Sequence, residues 1–150
     1  MGRLCRIVYC SRSRLSGSRA DIELGIRKIL AAARQRNRAA RLTGALTFTD
    51  SCFAQVLEGD LDDLAPVFTS IRRDPRHTDL KILEQVSPNS RLFPTWSMAF
   101  VDTSDDGDGH HPLAHFSFET ALTDGAAPEV ERVLNALRRV VVVKSKHIAV

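Results

Sequence analysis

Residues 41–59, RLTGALTFTDSCFAQVLEG, constrain the fold more than any other stretch of the chain. Two β-type apolar runs, residues 42–49 and 52–57, flank Asp50-Ser51, a polar pair suited to a tight turn, and together they predict a β-hairpin. Gln55 is the one polar side chain that interrupts the second run. Because side chains alternate along a strand, Gln55 points the same way as Phe53 and Leu57. A carboxamide on a buried face is costly unless its donors and its acceptor are matched, so a partner for Gln55 is expected there.

The flanking segments supply the rest of the topology. Residues 5–10, CRIVYC, read as a first strand, with Tyr9 in phase with Ile7 as a core aromatic whose hydroxyl meets a wet edge. A polar, flexible stretch, SRSRLSGSR, follows. From Asp21 the pattern turns helical: Ile22, Ile26, Ile29 and Ala33 recur at three- and four-residue steps, with Arg27, Lys28, Arg34 and Arg36 elsewhere and Ser18 as a cap. The helix is expected to reach about Arg36, leaving Asn37 at its C-terminal end, where Asn tolerates left-handed backbone. After the hairpin, Asp60, Asp62 and Asp63 favour the positive end of a second helix with the stripe Leu64, Val67, Phe68, Ile71. Pro66 is tolerable only in its first turn, and Asp74-Pro75 stops it. Residues 81–86 and 97–101 complete the strands.

The resulting order, β-α-β-β-α-β-β, predicts an α+β sandwich of the ferredoxin-like kind, a mixed sheet with two helices on one face. A groove between those helices suits a planar ligand.

A chain of 150 residues is enough for one such domain, placed at residues 1–102, with residues 103–150 as a linker and C-terminal helical extension. No apolar run approaches bilayer-spanning length and residues 1–10 lack a secretory pattern, so a cytoplasmic protein is expected. Cys5, Cys10 and Cys52 are odd in number and lie in predicted strands, which reads as buried, reduced thiols. The net charge of +3 is small and its arginines interleave with apolar helix positions, so neither nucleic acid nor a membrane is called for. His110, His111 and His115 match no metal-ligand spacing, and the aspartates of residues 102–108 lack a calcium-loop pattern. Residues 114–122 and 128–141 read as helices, although residues 140–143 could equally be a strand. The stripe Val130, Val133, Leu134, Leu137, Val141 needs a surface, either the free face of the sheet or another subunit.

Tyr9 on the first strand, Asn37 after the first helix, LTGAL and FAQVLEG in the hairpin, DPRH after the second helix and FPTWSM near the last strand together resemble the BLUF family of flavin-binding blue-light sensors. The resemblance spans about residues 4–101. It implies FAD as cofactor, its ring sandwiched by Ile29 and Ile71, with Asn37 on the pyrimidine edge and Arg76 and His77 nearby. It implies that Tyr9 and Gln55 are the photoactive pair, light driving electron and proton movement between tyrosine and flavin while the glutamine rearranges its hydrogen bonds. Trp96 and Met98, placed on one face of the last strand, match positions that pass the change outward. The chain departs from the family in carrying Arg91-Leu92 where many members have two arginines. The tail resembles that of short members without a catalytic domain, which implies a homo-oligomer and a separate downstream partner protein. Two other readings are a small acylphosphatase-like enzyme, which would need a glycine-rich phosphate cradle after the first strand, and a light-blind interaction module.

Overall fold

The structure, a computed structural model, describes residues 2–49, 51–94 and 97–102. The elements run β1 (Leu4–Ser13), α1 (Arg19–Ala39), β2 (Thr43–Thr49), β3 (Cys52–Asp60), α2 (Leu61–Arg72), β4 (His77–Val86) and β5 (Ala99–Asp102). They form one sheet in the order β4-β1-β3-β2-β5. β1 is antiparallel to both β3 and β4, and β2 is antiparallel to β3 and parallel to β5. Each helix therefore links two parallel strands across an intervening one, α1 over β3 and α2 over β1. These interlocked split β-α-β units are the ferredoxin-like arrangement expected from the element order.

Both helices share one face of the sheet, because side chains from alternate strand positions meet both of them. Ile7 and Tyr9 of β1, Leu46 of β2, and Phe53 and Leu57 of β3 join one core with Ile26, Leu30 and Ala33 of α1 and Leu64, Val67, Phe68 and Ile71 of α2. Burying a side chain of this size stabilises the fold by about 1.5–3 kcal/mol, so these two apolar stripes hold the helices against the strands.

Local chemistry explains the element limits. In the hairpin Thr49 pairs with Cys52, which leaves a two-residue connection, and Ser51 takes the left-handed backbone such a turn needs, φ 62°. Gly44 of LTGAL pairs with Leu57, and a Cβ there would lie 2.0 Å from the Val56 carbonyl oxygen, so only glycine lets β2 approach β3. Ser18 and Asp21 form a reciprocal capping box on α1, and the Asp60 side chain accepts from the Asp62 amide at the start of α2.

Several limits differ from the sequence reading. α1 begins at Arg19 and ends at Ala39, so Asn37 is not a left-handed cap but a buried residue of the last turn. The left-handed residue is Arg41, φ 58°. Pro66 lies in the second turn of α2 rather than the first; a ring there sacrifices one helical hydrogen bond, which the buried stripe outweighs. β1 extends through the polar Ser11-Arg12-Ser13, where pairing with Phe53 and Cys52 overrides composition. β4 starts at His77 instead of residue 81, since Ser13 and Arg12 of the lengthened β1 pair with His77 and Thr78. β5 starts at Ala99, so Met98 precedes the strand. Trp96 and the expected elements of residues 103–150 lie outside the described residues. Cys5, Cys10 and Cys52 are buried free thiols, as expected, and burial pushes the Cys10 thiol up to about 12.

Candidate functional site

A cleft opens between the two helices. α1 contributes Ile29, Ala32, Ala33 and Arg36, α2 contributes Ile71, and the sheet floor contributes Tyr9, Leu46, Phe53 and Gln55. Asp74, Arg76 and His77 close the end beyond α2. Ile29 and Ile71 thus form opposite apolar walls. Ala32 and Ala33 are small, which leaves room between those walls for a flat group.

The floor is polar at one place. Tyr9 and Gln55 are directly paired across β1 and β3, and the phenol donates to Gln55 Oε1. That bond orients the carboxamide, whose Nε2 faces the Met98 sulfur at 3.5 Å, a weak acceptor. Gln55 is 3% exposed and Tyr9 4%, so the partner expected for the buried glutamine is there in the form of Tyr9. Burial drives the Tyr9 phenol well above the usual tyrosine range, with Arg36 opposing and Asp74 reinforcing the shift. Tyr9 is a neutral donor at physiological pH.

The two residues before β5, Ser97 and Met98, are gripped from three sides. Asn37 Nδ2 donates to the Ser97 carbonyl at 2.7 Å and Arg34 Nε to the Met98 carbonyl at 3.0 Å, while Gln55 reaches the Met98 side chain. The upstream part of the same connection is anchored separately. The carboxylate of Glu58, fully buried on the opposite face of β3, accepts from the Leu92 and Phe93 amides at 3.0 and 2.8 Å. Arg91, the lone arginine of that loop, donates to the Glu58 carbonyl, to Thr43 Oγ1 and to the Arg41 carbonyl.

At the cleft end, Asp74 holds Arg76 through contacts of 2.9 Å and 3.1 Å to Nε, and these bonds keep the Asp74 carboxyl below the usual carboxylate range. His77 Nε2 lies 2.6 Å from the Ile71 carbonyl, which can only accept, so Nε2 carries a hydrogen; Nδ1 pairs with the buried Ser11 hydroxyl at 2.7 Å. His77 therefore ties the C-terminal end of α2, and the Ile71 wall with it, to β1.

Of the residues singled out from sequence, Tyr9, Ile29, Gln55, Ile71, Arg76 and His77 converge on one cleft. Asn37 lies behind it, fully buried, with Nδ2 engaged and Oδ1 unpartnered. Arg36, set apart from the apolar stripe in the sequence, lines the cleft instead, because it is in helical phase with Ile29 and Ala33. That phase was the available signal. Asp74 stood in the DPRH motif two residues from its partner Arg76, but Ser11 had no signal, since its contact with His77 is made only by the fold.

A sequence-family model described as "sensors of blue-light using FAD", BLUF, matches residues 4–99. The chain belongs to the BLUF family. BLUF is thereby the frame for both the fold and the cleft, and the phosphatase alternative drops out. Photoactivated adenylate cyclase subunit beta of Euglena longa is 31% identical over 96 residues, which are 63% of this chain but 11% of that protein; the Euglena gracilis protein of the same name is equally similar. The chain thus spans only about a tenth of the length of these curated relatives. Among solved structures, the dark-state BLUF protein BlrB has a TM-score of 0.72 at 27% identity, covering 93% of this chain and 98% of its own. BlsA in its ground state has a TM-score of 0.73 at 26% identity, covering 90% and 87%.

The BLUF cofactor, FAD, fits the residues present. Two buried polar atoms at or behind the cleft, Arg36 Nε and Asn37 Oδ1, have no partner among the described residues. One is a donor and one an acceptor, which suits a ring edge bearing both carbonyl oxygens and an N–H.

Proposed function

We propose that this chain is a blue-light receptor that holds FAD between α1 and α2 and has no catalytic activity of its own. The observation that carries the reading is the buried line from Tyr9 through Gln55 to Met98 on the floor of a cleft walled by Ile29 and Ile71. When bound, the flavin supplies blue-light absorption and a reversible acceptor of an electron and a proton. Ile29 and Ile71 would clamp its faces and the unpartnered Asn37 Oδ1 would supply a polar contact, with Arg76 and His77 lining the end of the cleft near the ring. Tyr9 is the photoactive donor, neutral and pointed at Gln55 Oε1. Gln55 is the element that switches: a carboxamide offers a donor at one end and an acceptor at the other, so reorienting it reverses the pattern presented to its neighbours.

That reversal reaches β5 through Met98, and through Trp96 in the same connection. The output passes from the sensor domain, residues 1–102, to residues 103–150, to another copy of the chain in a homo-oligomer, or to a separate signalling protein. Photoactivated adenylate cyclase subunits carry a similar region within a much longer chain, which supports a partner-directed output. No helix among the described residues is long and apolar enough to cross a membrane, in keeping with a cytoplasmic receptor.

The test is the absorption spectrum of protein supplied with FAD, recorded before and after blue illumination. A yellow protein with a small, reversible red shift is expected. A protein that stays colourless refutes the reading, and one that binds flavin without a light response reduces it to a light-blind relative.

A further inference from the structure

Two side chains of α1 hold the approach to β5, and they differ in what else they touch. Asn37 donates from Nδ2 to the Ser97 carbonyl, while its unpartnered Oδ1 is the atom open to the flavin, so that attachment is shared with the ligand. Arg34 donates from Nε to the Met98 carbonyl at 3.0 Å and does not line the cleft. It is in helical phase with Arg27 and Arg38, on the flank of α1 turned away from Ile29 and Arg36. Its hold on Met98 is therefore independent of the ligand site.

Met98 is where the two systems meet. Its thioether faces Gln55 Nε2 at 3.5 Å, and the carbonyl of the same residue accepts from Arg34. The two contacts are unequal. A thioether is a weak acceptor, whereas a guanidinium on a carbonyl makes a charge-assisted hydrogen bond, roughly twice as strong as a neutral one. Met98 is 1% exposed, so water does not stand in for either partner. A turning carboxamide would free the Met98 side chain and leave its backbone on α1.

Resting on the flavin-receptor reading, we propose that Arg34 is a positioning residue of the light switch: it holds the Met98 carbonyl to α1 while the carboxamide turns, and so sets the rate of return to the dark state. With the backbone held, the thioether stays in the one place from which Gln55 regains its dark contact. Without the hold, the backbone at Met98 samples several conformations, and the return has to find the right one first. The effect is on time and not on colour, because the absorption shift depends on Gln55 and Tyr9 beside the ring, which Arg34 does not touch.

The experiment compares wild type with R34M, R34Q, R34K and R38M, each purified with FAD. Met keeps the apolar stem of the arginine and removes every donor, Gln is too short for the same bond, and Lys keeps the charge without the planar fork. Arg38 is exposed on the same flank, so R38M controls for the loss of a charge there. Four quantities are read: flavin affinity, the light-induced red shift, the rate of dark recovery, and amide exchange over Ala99–Val101, where β5 pairs with β2. R34M is expected to bind flavin and shift like wild type, to recover roughly 5- to 30-fold more slowly, the factor for restoring one residue's backbone order, and to exchange faster in β5. R34K is expected to regain part of the rate, and R38M to match wild type throughout. R34Q gives the same reading as R34M if the latter does not fold. Wild-type recovery in a folded R34M or R34Q overturns the inference while the receptor reading stands, even where thermal unfolding shows lost stability, since the arginine would then be structural only. Loss of flavin or of the red shift in those variants also overturns it, by placing Arg34 in the ligand site. If wild type binds no flavin or does not respond to light, the receptor reading fails first and this inference with it.

Discussion

Tyr9 and Gln55 are cross-strand partners whose side chains bond to each other on the cleft floor, the phenol as donor and the carboxamide oxygen as acceptor. Both belong to central strands, β1 and β3, in a sheet whose outer strands are β4 and β5. Neither can move far without disturbing the core, so the adjustable degree of freedom is the orientation of the carboxamide itself.

Y9F should therefore keep the cleft and bind flavin, yet show no light-induced red shift. Leaving the buried Gln55 oxygen without its donor costs about 1–3 kcal/mol, small enough for the fold to survive. Q55L should behave alike. Difference spectroscopy on either variant checks this, and a normal photocycle in either contradicts the assigned roles.

Tyr9 is the single tyrosine of the chain, so its ionisation can be followed without ambiguity. Burial raises its folded pKa above the reference value of 10.0, which means the native state retains the proton after an unfolded chain has lost it. The contribution to stability is complete below pH 10 and is lost progressively above it. Phenolate absorbance should appear together with loss of circular dichroism; phenolate forming in a fully native protein would refute the burial.

The Asp74 carboxyl is shifted the other way by Arg76. Its stabilising contribution is present above the reference value of 3.8 and disappears as pH falls below it. D74N should flatten the acid limb of a stability profile and leave Arg76 unneutralised in the cleft.

G44A should push β2 away from β3, because its methyl would meet the Val56 carbonyl rather than a side chain that can turn aside. Overpacking of this kind costs about 1–3 kcal/mol. Chemical denaturation gives the loss directly, and unchanged stability would mean that the strands separate more easily than the close approach indicates.

E58Q replaces a carboxylate that accepts two consecutive amides by a group with one acceptor and one donor end. The expected cost is about 1.5–3 kcal/mol, the range for hydrogen bonds to charged groups. Hydrogen exchange at Leu92 and Phe93 should accelerate, and a variant with unaltered protection there would remove Glu58 as the anchor.

Much of this was legible in the chain. The two apolar runs of the hairpin, Ser18 as the cap of α1 and the apolar stripe of α2 are local signals, and the structure contains all of them. Gln55 stood out because a polar group in an apolar strand is anomalous on its own. Asn37 and Ser11 were not legible in the same way. A buried Asn one turn from the end of a helix looks like a cap until the Ser97 carbonyl is brought to it, and Ser11 looks like loop until β1 and β3 pair beyond residue 10. Arg36 was misread because arginine usually turns outward, and only its phase with Ile29 reveals the cleft.

The attachments of Ser97 and Met98 differ in strength. Two are bonds from side-chain nitrogens to backbone carbonyls, at 2.7 and 3.0 Å, and the third is a contact from an amide nitrogen to a thioether. Sulfur is the weakest acceptor of the three. A carboxamide that turned as proposed would leave its bond from Tyr9 and, of the three attachments, only the softest, so the start of β5 would stay indexed to α1. Such a joint would return to the same place after each turn.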